Sequence, residues 1–382
     1  MRLPNGLIYL DYNATTPIDP RVIERMQVFL ETEFGNASST HVLGQRAAEA
    51  IHTAREKVAK SLGCSAAEIV FTSGGSESNN LAIKGFCSQY AHQGRHLIVS
   101  AIEHPSVLVP VHWMEKQGFR VSYLPVDKQG VIQVSELQDM ITSKTVLVSI
   151  MHANNEVGSV QPIAELVDLV HEMGALLHVD AAQTFGKIPV NVGDLKCDLL
   201  TIAGHKVYGP KGIGALFIRS GVKLEPLIQG GSQQQGRRAG TENVSGAVGL
   251  GEAAELAMED LESEHAKLKT LRDKLQEKLK DELPFMRINA SAVKRIPNTL
   301  SISFREIKAL ELMNGVPDVL MSAGAACHTG DAKGSDVLGA MGVPLEYQMG
   351  TVRLSLGRFS DATQVDEVAD KLSTFIKKRL MC

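Results

Sequence analysis

A carboxylate and a primary amine end two apolar runs in the stretch LLHVDAAQTFGKIPVNVGDLKCDLLTIAGHKVYGPKG, residues 176–212. The first run stops at Asp180. The second, DLLTIAG, delivers His205 and Lys206 into a Gly/Pro-rich turn. An apolar run bounded by turn signals reads as a buried strand. Two such strands set an acid and an amine on one sheet rim, where α/β folds hold their ligands.

Three further runs end in the same way. EIVFTSGGSESNNLAIKGF begins as a strand over 68–72, breaks at Gly74 and Gly75, and reads as helical from Ser76. Strand, glycine turn and helix form an anion-binding arrangement, because glycine allows close approach and the free amides of the helix start point at the ligand. The segment has neither a GK[ST] ending nor a GxGxxG pattern, so a monophosphate fits Gly74–Ser76 better than a nucleotide does. HLIVSAIEHPSV, 96–107, runs out at Glu103 and His104, where an imidazole can stack on a planar ligand or shuttle a proton. TVLVSIMHANNEVG, 145–158, ends in His152, Asn154, Asn155 and Glu156. Polar groups at 73–76, 104, 152–156, 180–183 and 205–206 thus converge on one cleft. An acid and an amine in one cleft suit several chemistries. Pyridoxal phosphate is one that uses both, the amine forming a Schiff base and the acid pairing with the ring nitrogen.

The elements that must position these groups alternate strand and helix, a βαβ rhythm that predicts a largely parallel sheet covered by helices. Helices are expected from about Pro20 to Glu33, Leu43 to Leu62 and over 163–174, with a further strand over 212–221. The loop GNASSTH, 35–41, offers Asn36 and Ser38 as candidate ligand contacts, and the polar loop 230–243 carries Arg237, Arg238 and Thr241. From Glu252 to Leu283 there is neither glycine nor proline, and Met258, Leu261, Leu268, Leu271, Leu275 and Leu279 recur at helical spacing. That predicts one long amphipathic helix leaving a large domain to start a smaller one. NTLSISF (298–304), EIKALELMNG (306–315), TVRLSLGR (351–358) and a helix from about Ala362 to Leu380 complete a smaller α/β unit.

The 382 residues are long for one core, so two domains are expected. Lys and Arg number 39 against 43 Asp and Glu, a net charge of −4 that leaves no electrostatic footprint for nucleic acid. No apolar run approaches the roughly 20 residues of a membrane span. The first strand-like segment starts at Leu7, which leaves little room for a targeting extension. The five cysteines are scattered without a CxxC pair, which speaks against a disulfide scaffold or structural zinc and for a reducing, cytoplasmic setting. Cys327 stands apart: it lies beside His328 and before the small-residue stretch HTGDAKGS, the setting of a functional thiol.

In order along the chain stand LDYNATTP (10–17), FTSGGSESNN (71–80), HANNEVG (152–158), VDAAQ (179–183), GHKVYGPKGIGAL (204–216), RAGTEN (238–243), GAACHTG (324–330) and VRLSLGR (352–358). This ordered set resembles the cysteine desulfurase and selenocysteine lyase group of class V aminotransferase-like enzymes. The resemblance implies the fold-type I pyridoxal phosphate architecture, with a mostly parallel seven-stranded sheet in a large domain (15–257). A small domain (1–14 and 258–382) would carry Cys327. It also implies a homodimer with active sites near its interface.

By the same resemblance Lys206 would hold the cofactor and move protons, Asp180 would pair with the ring nitrogen, and His104 would stack on the ring. Gln183 would bond the ring oxygen. Gly75, Ser76 and His205 would hold the phosphate, with Thr241 reaching in from the partner subunit. Asn155 and Arg353 would bind the substrate carboxylate, a task for which the arginine fork is suited, and Asn36 joins them as a substrate contact. Cys327 would take sulfur from L-cysteine, leaving alanine, and pass it to an acceptor protein. The alternative is selenocysteine lyase, releasing selenide from L-selenocysteine. GAACHTG and TIAGHKVYGP are closest to lyase sequences, whereas Pro105 stands where those lyases carry aspartate, and Ala203 stands where the family often has serine.

Overall fold

The computed structural model describes residues 6–324 and 334–380. Near the start of the chain β1 (Ile8–Tyr9) leads into a polar strap over residues 11–16. A seven-stranded sheet follows, built from β2 (Ile69–Thr72), β3 (His96–Ser100), β4 (Arg120–Leu124), β5 (Thr145–Met151), β6 (Leu176–Asp180), β7 (Leu199–Ala203) and β8 (Gly214–Ile218). Their spatial order is β2-β8-β7-β6-β5-β3-β4. Every neighbouring pair from β7 to β4 is parallel. β8 alone runs against its neighbours, so β2 points the same way as β7.

The expected mostly parallel seven-stranded sheet is therefore present, and five strands deliver their C-terminal ends to one rim. β2, β3, β5, β7 and β8 are buried along their whole length. Successive residues feed opposite faces: Phe71, Ile98 and Val148 join one core, while Val70, Val99 and Leu147 join another on the far side. A strand buried on both faces is a continuous apolar run, which is why these were legible.

Three elements differ from expectation. The segment from Glu252 to Leu283 is not one helix: one helix spans Val244–Glu259, the chain breaks at Asp260, and a second runs over Leu261–Glu282. The first starts earlier than its glycines suggest, with Asn243 Oδ1 capping the Gly246 N–H at 3.0 Å. Its glycines serve packing. A Cβ on Gly251 would lie 2.8 Å from Ala54 Cα in the helix Val42–Leu62, and one on Gly249 would lie 2.6 Å from Met26 Sδ. The helix Pro105–Lys116 and edge strand β4 also escape the sequence reading; β4 is partly exposed and carries only a weak apolar signal.

A second core contains Ile8, Leu10, Leu268, Leu271, Leu275, Leu279, Leu300, Ile302, Val352, Leu354 and Ile376. It underlies an antiparallel sheet of β9 (Arg287–Ile288), β10 (Thr299–Ser303), β12 (Ser322–Ala323) and β13 (Thr351–Ser355), in the order β12-β13-β10-β9. The stretch TVRLSLGR thus supplies an inner strand. β1 pairs in parallel with β11 (Val319–Leu320), so the first strand of the chain joins this C-terminal unit. Among the described residues no helix is long and apolar enough to cross a membrane.

The leucine stripe of the second helix is the part of this core most open to test. Leu275 is fully buried, so Leu275→Ala is expected to destabilise the protein by about 3 kcal/mol. Denaturant unfolding would show this as a shifted midpoint, and a cost below about 1 kcal/mol would mean that the stripe does not pack as described.

Candidate active site

The five strand ends enclose a cavity of about 730 Å³. Gly75, Ser76, His104, Asn155, Asp180, Gln183, His205, Lys206 and Arg353 all line it. Asn36 and Thr241 do not line the cavity of this chain: Asn36 Oδ1 accepts the Ser38 N–H at 2.9 Å, and Thr241 is exposed. Cys327 lies outside the described residues. Of the polar cluster after β5, only Asn155 reaches the cavity. His152 is buried against Thr184 Oγ1 (3.0 Å), Asn154 caps its own turn through the N–H groups of Glu156 and Val157, and Glu156 Oε2 accepts from Ser335 (2.6 Å).

Asp180 ends β6 and is buried. Its Oδ1 accepts the Ala182 N–H (2.9 Å) and its Oδ2 accepts from Asn79 Nδ2 (2.7 Å). Asn79 also donates to Ser106 Oγ (2.8 Å), which stands 2.8 Å from His104 Nδ1. Because Nδ1 accepts the Ser106 backbone N–H (3.1 Å), a neutral His104 ring carries its proton on Nε2. Desolvation and the nearby Lys206 lower its pKa, against the pull of Asp180. One amide, Asn79, thus fixes both the acid and the imidazole. It belongs to the helical turn Gly75–Asn80, and nothing in SESNN distinguishes it from a surface asparagine.

Lys206 sits in the short turn Gly204–Lys206 after β7. Its Nζ donates to the backbone carbonyls of Asn13 and Ala14, so the strap 11–16 forms a wall of the site. Burial, reinforced by Arg353, depresses its pKa to about 8, with Asp11 and Asp180 opposing. Beside it the His205 imidazole is pushed down to about 4 by burial and by neighbouring lysines, and its Nδ1 lies 3.2 Å from Thr15 Oγ1. Arg353, central in the small sheet, donates to Asp11 Oδ1 (2.6 Å), Ser322 Oγ (3.0 Å) and the Asn155 carbonyl (3.0 Å). Its Nε is buried without a partner among the described residues.

At the end of β2, Gly74 takes a φ of 150°, open to glycine. The Ser78 N–H is the first to bond back within the turn, to the Gly74 carbonyl at 3.1 Å, so the amides of Gly75 and Ser76 remain available to an anion. Ala203, where a serine would add a hydroxyl, offers only its methyl, and a Cβ on Gly75 would lie 3.4 Å from it. The other described cysteines do not compete for chemistry. Burial raises the thiols of Cys64 and Cys197 to about 12, and that of Cys87 is raised as well.

The model of the family described as Aminotransferase class-V matches residues 8–368. This chain belongs to the class-V aminotransferase family. Within that family, "Cysteine desulfurase IscS" of Dictyoglomus turgidum is 44% identical over 373 residues, covering 97% of this chain and 95% of the relative. A solved "NIFS-LIKE PROTEIN" superposes with a TM-score of 0.91 at 38% identity, covering 97% of this chain and 99% of the other. A structure titled "SspA in complex with cysteine" gives a TM-score of 0.82 at 37% identity over 92% of this chain and 99% of the other. The class-V match takes in both the lysine turn and the arginine strand.

The amine of Lys206 is open to direct measurement. Burial favours the neutral amine, so its reactivity is expected to rise through a midpoint near 8, against about 10.4 for an ordinary lysine. Peptide-resolved acylation of the cofactor-free protein as a function of pH checks this; a Lys206 midpoint equal to that of surface lysines would refute the described environment.

Proposed function

We propose that this protein is a pyridoxal-phosphate-dependent cysteine desulfurase. The observation that carries the reading is the meeting of Lys206, Asp180, the Gly75–Ser76 amides and Arg353 around one cavity. These residues fit the cofactor: an amine with depressed pKa, a buried carboxylate held by two donors, and unpaired amides beside glycine. Lys206 would hold the cofactor, Asp180 its ring nitrogen, His104 its ring face and Gln183 its ring oxygen. Gly75, Ser76 and His205 would hold its phosphate, joined by Thr241 of a second copy. When bound, pyridoxal phosphate supplies an electron sink for charge developing at the substrate α-carbon.

The chain's own groups do the rest. Arg353, with Asn155 beside it, orients the substrate carboxylate. Its guanidinium is already directed by Asp11, Ser322 and the Asn155 carbonyl. Lys206, with an amine substantially neutral near pH 8, can take a proton from the substrate α-carbon and return one. The Cys327 thiolate attacks the substrate sulfur. Overall, one Cys327 thiol and one L-cysteine become one Cys327 persulfide and one L-alanine; the substrate C–S bond is reduced to C–H while the two sulfurs are oxidised to the persulfide. An acceptor protein's thiol then receives the outer sulfur. The reading includes a large unit (15–257) that binds the cofactor and a small one (1–14 and 258–382) that carries Cys327. A homodimer is supported by the exposed apolar side chains Ile23, Leu30, Phe34 and Val42, grouped in one early segment. Selenocysteine lyase is the second reading, favoured by the sequence GAACHTG at 324–330.

The test sets wild type beside Cys327→Ala on L-cysteine and L-selenocysteine, with cofactor and reductant. Wild type is expected to yield sulfide and alanine in equal amounts from cysteine, and the variant to lose that activity by roughly a thousandfold or more. Turnover of selenocysteine with cysteine inert would transfer the assignment to the lyase. Full cysteine turnover by Cys327→Ala would remove the thiol from the mechanism.

A further inference from the structure

Lys187 is a buried amine to which the proposed chemistry gives no task. It follows the turn after β6, and its Nζ lies 2.9 Å from Gln183 Oε1 and 3.4 Å from Asn13 Oδ1. Among the described residues it forms no ion pair; Glu264, whose charge acts on it, is committed to Arg358 at 2.8 Å. A buried ammonium without a counter-ion is costly, and methionine would fill the same space. Packing alone does not account for a lysine here.

The orientation of each amide around it is fixed by groups that can only accept. Gln183 Nε2 donates to the Asn13 carbonyl (3.0 Å), which leaves Oε1 facing Lys187. Asn13 Nδ2 donates to the Asn155 carbonyl (3.2 Å), and Asn298 Nδ2, itself donating to the Leu356 carbonyl (3.0 Å), supplies Asn13 Oδ1 at 3.0 Å. Lys187 is therefore the donor to two amide oxygens. With Oε1 occupied and one Nε2 hydrogen given to Asn13, Gln183 retains a single amide hydrogen, and Gln183 lines the cavity.

We infer that Lys187 is a positioning residue: by occupying Gln183 Oε1 it locks the carboxamide so that the cavity meets an N–H donor there, never a carbonyl. The site then admits an oxygen acceptor at that place and rejects a donor. This rests on the proposed cofactor, whose ring oxygen would be that acceptor.

The experiment is a double-mutant cycle on the full chain: K187M, Q183A and the double variant, each prepared free of cofactor and titrated with pyridoxal phosphate by visible absorbance. K187M is expected to bind about tenfold more weakly. The pH midpoint of its bound absorbance band is expected to move in the same direction as that of Q183A. The double variant is expected to bind no more weakly than Q183A, because Lys187 acts through Gln183. Losses that add, or a K187M variant with wild-type affinity and midpoint, overturn the inference. Should K187M not yield a folded protein by circular dichroism, K187L, which likewise removes the donor to Oε1, takes its place with the same two outcomes. Wild type that shows no absorbance band overturns the proposed function and this inference together; a band with an additive cycle overturns the inference alone.

Discussion

The amide of Asn13 is bonded on all sides, and the site depends on it. Its side chain bridges Thr299 Oγ1 (2.7 Å) in the small sheet, the Asn155 carbonyl beyond β5 and the Asn298 amide. Its backbone N–H reaches Ser355 Oγ (3.0 Å), and its carbonyl receives both Gln183 and Lys206. A fully buried amide tolerates no unpaired group, since each one costs about 1–3 kcal/mol. Asn13, which takes no part in the sheet hydrogen-bond ladders, thus helps hold the two sheets and the lysine turn in one mutual arrangement.

Charge is arranged with the same economy. Burial lowers the pKa of Lys206, Lys187 and His205, and cationic neighbours lower each further: Arg353 acts on both lysines, and Lys206 acts on Lys187 and His205. Behind β3 Glu103 is fully enclosed, and burial raises its carboxyl to about 8. Its Oε1 takes two short hydrogen bonds from Ser100 and the Met151 N–H, both 2.6 Å. A neutral Glu103 leaves the negative charge of that rim to Asp180, which is the charge a cationic ring nitrogen would seek.

Much of this was legible from residue order. Asp180, His104 and Lys206 are found at strand ends because buried parallel strands are unbroken apolar runs, and whatever polar residue follows must emerge at the rim. Misjudgements arose where packing outweighs local pattern. The helix is expected only from Glu252, yet it begins at Val244 and takes in Gly246, Gly249 and Gly251, the last of which lets it approach Ala54 closely. His152 and Asn154 read as site groups, and the fold spends them on internal hydrogen bonds instead. Asn79, Asn13 and Lys187 carried no readable signal, since their roles exist only through partners distant in sequence.

The strap 11–16 has a consequence for how the molecule comes into being. Arg353 and Asp11 are separated by 342 positions, and Asn13 by the same 342 from Ser355. β1 likewise finds its partner only at Val319–Leu320. During synthesis residues 11–16 emerge long before Arg353 and Ser355 and must wait, unpaired, for them. The large sheet, whose β2–β8 lie within residues 69–218, can collapse long before that. The pocket therefore closes as a late event in the birth of the chain, and a truncated product retains the lysine and the acid without the wall that makes them a site.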